Sequence, residues 1–414
     1  MLIRSYKYRI YPDATQAKKL AECFGCVRWF WNNSLELSRK VYEETGKRPS
    51  RGDLSARLPG LKAAEETSWL ADVPSQALQM TLINQEKAFQ AFFAKRAKAP
   101  QFKNRFAKQS FSLPEGFRVE ACGEKIRLPK FLEGIPTNLH RKFVGKIKTG
   151  TVSKTATGKY YISLLVEEVG EEVAITPPNE ATCLGIDLGI KDFAVSSDET
   201  RISNPKFLSK KLKKLRRAQR KLSRRKKDSN RRIAQRKLVA RQHEKVASSR
   251  LDFHHQLTRR LVENQNYGSF AVEDLGIKDM MGKAPKSLAR QIGDAGWFQF
   301  RTILTYKASR AGKAVIAIDR FAASSKTCSC GCKNESLKLT DREWTCRKCG
   351  VTHDRDLLAA KNIKRFAFAN PKLGREPSEV TRGESEPLGA RRAAKNTKKG
   401  ASPSLEAHSP CGGG

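Results

Sequence analysis

The chain reads as an α/β protein of several domains, and three observations predict that class. Two apolar, strand-like runs end in acid: Cys183-Leu184-Gly185-Ile186-Asp187 and Ser269-Phe270-Ala271-Val272-Glu273. Helical periodicity lies between and after them, in Leu208, Leu212, Leu215 and Leu222, then in Ile292, Trp297, Phe300, Ile303 and Leu304. An alternating strand pattern opens the chain at Leu2, Tyr6, Tyr8 and Ile10, and strands return between Lys142 and Val169. With 414 residues there is room for two or three such domains and a sizeable core.

The acids carry the first functional expectation. A lone carboxylate at the end of an apolar strand is costly to bury without a partner. Asp187 alone fits a paired strand-end acid, a sugar-kinase-type hairpin or a metal ligand. Gly189 permits a tight turn into a second strand, Phe193 to Ser196. Glu273 ends the other run, and Thr352-His353-Asp354-Arg355-Asp356 opens a helix from Leu357 to Phe366. Two strand ends and a helix start can bring three acids to one point. Carboxylate oxygens suit hard divalent ions. Two such ions about 4 Å apart hold the attacking water and the leaving oxygen of a phosphodiester displacement.

Charge carries the second. Lys plus Arg number 81 against 42 Asp plus Glu, a net charge of +39, and nucleic acid is the partner that fits. No apolar run approaches the length of a membrane span, and Met1 to Ile10 lacks a signal peptide's apolar region. A cytoplasmic protein with reduced cysteines and no membrane partner is expected.

Taken in order, the first strand breaks at Pro12-Asp13, and a helix follows from about Thr15 to Glu44 through Leu20, Phe24, Val27, Phe30, Trp31 and Leu35. Cys23 and Cys26 lie three apart on its apolar face, which reads as core. A second helix starts at about Ser75 and carries Leu78, Leu82, Phe89, Phe92 and Phe93. It runs into a basic segment in which Lys95, Arg96, Lys98, Lys103 and Arg105 are interleaved with Phe102 and Phe106. That mixture suits phosphate contact with base stacking. Thr157-Gly158 marks a turn between strands. Residues 1–176 read as a small β-barrel carrying a helical insertion over about 13–110, with Pro177-Pro178 as linker.

Residues 201–250 hold 21 Lys or Arg and two acids, Asp228 and Glu244. With a turn at Lys227 to Asn230, they predict a helical hairpin, about 205–265, with a basic outer face. Its backbone-binding candidates begin with Lys210, Lys211, Lys213, Lys214, Arg216 and Arg217. Arg220, Arg224 and Arg225 complete the set. His254 and His255 lack nearby ligands and read as core or surface. Beyond Ala314 to Ile318, a strand, lie Cys328, Cys330 and Cys332, then Cys346 and Cys349 followed by Gly350. Thiolates so spaced close on one structural Zn²⁺ with no open position. Cys328 and Cys330 are tightly spaced, and one of the first three is expected to be spare. Residues 371–414 contain no aromatic and no Ile, and predict a disordered tail in which Cys411 is no ligand.

Several of these stretches together resemble one family. They are Arg320-Phe321-Ala322-Ala323-Ser324-Ser325-Lys326-Thr327-Cys328, the Cys346/Cys349 pair, His353-Asp354-Arg355-Asp356, Gly185-Ile186-Asp187-Leu188-Gly189, Val272-Glu273-Asp274-Leu275 and Asp294-Ala295-Gly296-Trp297. This set resembles the TnpB family of transposon-encoded, RNA-guided DNA nucleases, related to compact type V CRISPR effectors, over roughly residues 1–368. The resemblance implies a RuvC-like nuclease domain of RNase H fold, over 177–370, with a zinc ribbon at about 325–352. It implies that residues 1–176 are a wedge barrel with a helical recognition insertion. By motif, Asp187, Glu273 and Asp356 match the catalytic acids that hold Mg²⁺. Asp354 is the rival for the third place, and Asp356 is preferred because it directly precedes Leu357-Leu358-Ala359-Ala360. Guide RNA and target double-stranded DNA are the implied partners. A guide-free resolvase or transposase of the same fold, and a non-cleaving nucleic-acid-binding regulator, are the competing functions.

Overall fold

The computed structural model describes residues 2–369, apart from 107, 121–123, 132, 171–172 and 339. The predicted tail at 371–414, with Cys411, lies outside the described residues.

The N-terminal half begins with β1 (Leu2–Ile10), whose alternating pattern buries Tyr8 and Ile10. Then come α1 (Ala14–Thr45), α2 (Arg51–Ala56), α3 (Leu58–Ala63), a 3-10 helix (Glu65–Asp72) and α4 (Ser75–Phe93). The chain returns to strands in β2 (Gln109–Leu113), β3 (Arg118–Val119), β4 (Lys125–Arg127), β5 (Ile135–Asn138), β6 (Lys146–Lys154) and β7 (Tyr160–Glu168). They form one antiparallel sheet in the order β2-β6-β7-β1-β5-β4-β3, so β1 sits inside it and the helices are inserted at one sheet connection. Asp13 and Gln16 make a reciprocal capping box at the start of α1, and Gly46, at φ 69°, ends it in the left-handed conformation. The apolar face of α1 packs with Leu78 and Leu82 of α4 into the core under the sheet, where the Phe24 and Phe111 rings lie 5.4 Å apart. Cys23 and Cys26 are part of that core. Gly158, at φ 89°, makes the turn between β6 and β7.

The C-terminal half holds a second sheet. Its strands are β8 (Cys183–Leu188), β9 (Asp192–Ser196), β10 (Arg201–Ser203), β11 (Ser269–Glu273) and β12 (Ala314–Ile318), in the order β10-β9-β8-β11-β12. The first three form an antiparallel meander, while β11 pairs parallel with β8 and β12. The helices are α5 (Phe207–Ser223) and α6 (Asn230–Glu263), which form the predicted hairpin, then α7 (Ile277–Lys283), α8 (Lys286–Ala295) and α9 (Trp297–Arg310). A small two-stranded sheet, β13 (Glu343–Thr345) with β14 (Thr352–Asp354), precedes α10 (Arg355–Ala369). Thr352–Asp354, expected to begin the last helix, is thus a strand, and the helix starts at Arg355.

Helices cover both faces of this sheet, which is why β8 and β11 are apolar almost throughout. Leu184, Ile186, Phe270 and Val272 face the α6 and α9 side with Phe300 and Leu304. Cys183 and Ala271 face the other side, against Ile363 and Ala367 of α10. Gly185 is where α10 crosses: a Cβ there would lie 2.2 Å from the Ala360 carbonyl oxygen. The helix expected to run through Ile292 and Trp297 is two helices. Gly296, at φ 68°, stops α8, and the chain turns before α9 begins.

The turn is locked from below. Asp294 accepts from the Arg250 guanidinium at 2.8 Å and from the Leu208 backbone N–H at 2.8 Å, while its own carbonyl accepts from Arg250 Nε at 2.7 Å. One buried carboxylate therefore ties α5, α6 and α8 together. His254 is also core, its Nε2 lying 3.0 Å from the Ala295 carbonyl.

Candidate active site and cysteine cluster

Side chains alternate across a strand. Asp187 therefore projects to the same face as Cys183, and Glu273 to the same face as Ala271, which is the face covered by α10. The β8–β11 register places Ile186 beside Val272, so the next residues, Asp187 and Glu273, lie side by side at the same end of the sheet. Asp356 lies in the first turn of α10, above them.

Electrostatics ties the three acids together. Asp187 is pushed up to about 8 by burial, then by the negative charges of Glu273 and Asp356, with Arg355 opposing. Burial also raises Glu273, opposed by the Ser324 hydroxyl, which donates to Glu273 Oε1 at 2.6 Å. Acids so crowded cannot all ionise cheaply without a compensating cation. Asp356 takes part of that compensation from Arg342, whose Nη1 lies 3.1 and 3.3 Å from its two carboxylate oxygens.

Asp354 is used differently. Its carboxylate accepts from the Leu357 N–H at 2.9 Å, as a helix cap does, and pairs with Arg201 at 2.8 Å. Both of its oxygens are thus engaged locally. The loop after β12 is held by α10: the buried Asn362 amide donates to the Ser324 and Thr327 carbonyls at 2.7 and 2.6 Å. Beside Glu273, Asp274 accepts from Arg301 and Arg320, which hold it below the usual carboxylate range.

The Cys328, Cys330, Cys346 and Cys349 thiols lie within 4.8 Å of one another, a closed set suited to zinc. Two tight turns present them, with Gly331 at φ 83° and Gly350 at φ 71°, where the Gly350 N–H bonds the Cys346 carbonyl at 2.9 Å. Backbone N–H groups of Cys349 and Lys348 hold the Cys346 thiol below its ordinary range. Cys332 falls outside this set of four, its thiol 4.0 Å from the Lys333 carbonyl. His353 Nε2 lies 3.0 Å from Cys328 Sγ. Trp344 and Leu358 pack beneath Cys328 and Cys346, so the cluster rests on α10 two residues past Asp356.

The basic residues spread over three surfaces. On the hairpin, Lys210, Lys213, Lys214, Arg216, Arg217, Arg220, Arg224 and Arg225 are exposed. Lys211 is half-buried and, with Arg9, Arg241 and Lys245, lines a cleft of about 860 Å³ between β1, the β6–β7 turn and the hairpin. In the segment after α4, Lys95, Arg96 and Lys98 are exposed, and Lys103 lies 3.8 Å from the Trp31 ring centre. Arg105 reaches Asp228 at the hairpin turn, 2.8 Å away, and Phe106 lies under Arg236. Phe102 and Phe106 are exposed. The arm-to-hairpin contact joins residues more than a hundred positions apart, and no local pattern announces it.

Sequence reasoning missed Ser324, Arg342 and Asn362 as neighbours of the acids. Ser324 stood in a quoted motif without a role. Arg342 and Asn362 carried no signal, because their partners are set by tertiary packing.

Comparison with known proteins gives three family models. Residues 163–284 match one described as a probable transposase, 297–363 one described as a Cas12f1-like TNB domain, and 1–47 a helix-turn-helix domain. The last stretch is here β1 and the single helix α1. The chain is 37% identical over 378 residues to a Streptomyces pristinaespiralis protein named "Putative RNA-guided DNA endonuclease", covering 90% of this chain and 91% of that one. It is 31% identical over 374 residues to InsQ of Escherichia coli, which carries the same description, covering 87% and 91%. Among solved structures it resembles the protein of a Cas12f1–sgRNA–target DNA complex, with a TM-score of 0.53 at 14% identity over 90% of this chain and 99% of that one.

Proposed function

Because the chain belongs to the TnpB family, we propose that it is an RNA-guided DNA endonuclease whose cutting centre is Asp187, Glu273 and Asp356. The observation that carries the reading is the convergence of these acids at one buried point, where burial first and then the charges of Glu273 and Asp356 push Asp187 up to about 8. The strand order β10-β9-β8-β11-β12, with two strands parallel to the first of the domain, supports a RuvC-like domain of RNase H fold over 177–370. The helices inserted after β1 support a wedge module with a recognition insertion over 1–176.

The donor set is all oxygen and fits Mg²⁺, which when bound would polarise the phosphate and activate water. The chain's own residues do the rest. Ser324 orients Glu273, Asn362 fixes the loop that carries Ser324, and Arg342 holds Asp356. Asp354 caps α10 and so fixes the helix from which Asp356 projects. Cys328, Cys330, Cys346 and Cys349 would hold a structural Zn²⁺ beside that helix. The exposed lysines and arginines of the hairpin, and those after α4, would bind the backbones of guide RNA and double-stranded target DNA in the cytoplasm.

Reconstitution tests the reading. RNA-stripped protein with Mg²⁺ should cut DNA only when a matching guide is added, and Asp187→Ala should bind guide yet not cut. Equal cutting at the same positions without RNA would leave a guide-free nuclease. Full activity of Asp187→Ala would remove the assigned centre.

A further inference from the structure

The loop between β12 and the cysteine cluster presents an unusual side chain. Phe321 is 87% exposed, the most exposed of the described aromatic residues. A lone exposed apolar side chain is ordinary. Its setting here is not. The Phe321 N–H donates to Asp319 Oδ1 at 2.7 Å, and the Ala322 N–H to the Asp319 carbonyl at 3.1 Å. Three residues on, Ser324 holds Glu273, and Asn362 holds the Ser324 carbonyl. Both ends of the segment are therefore fixed, one of them to a catalytic acid, while the ring between them stands in solvent.

Distance and charge say what the ring can meet. Phe321 and Ser324 can be no more than about 11 Å apart at Cα, even if fully extended. With the reach of the Phe side chain and the Ser324–Glu273 bond added, the ring lies within about 20 Å of the Glu273 carboxylate, about six stacked nucleotides. Arg320, the residue before Phe321, and Arg301 both pair with Asp274 next to Glu273, and two guanidiniums on one carboxylate leave net positive charge on the way to the acids. An aromatic face next to a cationic, backbone-tracking surface is how single-stranded nucleic acid is held without sequence preference.

We infer that Phe321 is a base-stacking residue that positions the DNA strand being cut, holding one nucleobase within about six nucleotides of the scissile phosphate. This rests on the assignment of the acids as the cutting centre. Phe321 acts on the strand and not on the reacting atoms, so it is a positioning residue.

The test uses the full protein with guide RNA and Mg²⁺, and a target whose cut strand carries a single abasic site at each position within about six nucleotides of the cut. Wild type should lose kcat/KM about 5- to 150-fold at one position and little at the others. Phe321→Ala should lose a similar factor on intact DNA and show no further loss at that position. Phe321→Trp should restore both the rate and the position-dependent loss, while Phe321→Leu should not. Guide binding and melting temperature should be unchanged in all three, which a merely structural role would not allow. If the abasic profile of Phe321→Ala matches that of wild type, or if Phe321→Leu behaves as wild type, the inference is overturned. If wild type itself does not cut, it is the assignment of the centre that has failed.

Discussion

Asp294→Ala should cost about 3–5 kcal/mol, the range for breaking a buried ion pair by removing one partner. The structure says where that cost arises. The Arg250 side chain is 13% exposed and that of Asp294 5%, so truncation strands a guanidinium largely out of water. It also removes the acceptor of the Leu208 N–H, itself about 1–3 kcal/mol if left unmade. Only the bond from Arg250 Nε to the residue-294 carbonyl survives. The sum cannot simply be added, since the two losses share one carboxylate. Asp294→Asn keeps one acceptor oxygen and should cost less than Asp294→Ala. Urea unfolding followed by circular dichroism gives the stability change. Hydrogen exchange should then locate it at α5, α6 and α8, because a chain of this size need not unfold in one step. Replacing both partners, as Arg250→Met with Asp294→Leu, should recover much of the loss, since no charge is then left buried. A change within about 1 kcal/mol for Asp294→Ala, or a double variant as unstable as the two singles combined, would refute the reasoning.

Two further outcomes follow from the site. The Asp187 carboxyl lies at about 8 in the fold, against about 3.9 in an unfolded chain. A raised acid contributes stability that is fully present below the unfolded value and lost as pH climbs through the folded one. Metal-free wild type should therefore lose melting temperature relative to Asp187→Asn between about pH 4 and pH 8, and Mg²⁺ should restore wild type alone; parallel pH profiles would contradict the crowding of the acids. At the cysteine cluster, Cys332→Ser should retain one zinc per chain by elemental analysis, while Cys349→Ser loses it; zinc loss in Cys332→Ser would show that the set of four is misassigned.

The strands around the acids were legible because each is an apolar run that ends in a carboxylate, a pattern that burial on both sheet faces enforces. The hairpin was legible for a related reason: charge so one-sided can only face outward, and Leu215 marks the face that cannot. Short elements were not. α2, α3 and the 3-10 helix have six to eight residues, too few for a periodicity to register, and β3 has two. The break at Gly296 was hidden because the apolar stripe continues on both sides of it. The choice among Cys328, Cys330 and Cys332 could not be made from spacing, since the turn at Gly331 decides which thiols meet. Asp354 and Asp356 are likewise two residues apart in one motif, and only the fold shows that Asp354 accepts from the Leu357 N–H while Asp356 meets Arg342.

α10 has a consequence for how such a chain can change length. Within seven residues it presents Asp356 to the acids, Leu358 to the cysteine cluster, Ala360 to Gly185 and Asn362 to the Ser324 loop. Each added residue turns a helix by about 100°. A single insertion between Asp356 and Asn362 would swing every later contact away from its partner, and no neighbouring loop could absorb the error. The exposed turn at Glu335 and Ser336, ahead of Arg342 and Trp344, lies outside these contacts. Insertions should be tolerated there and excluded from α10, so the run from Asp356 to Asn362 keeps a fixed spacing while the ribbon before it varies in length.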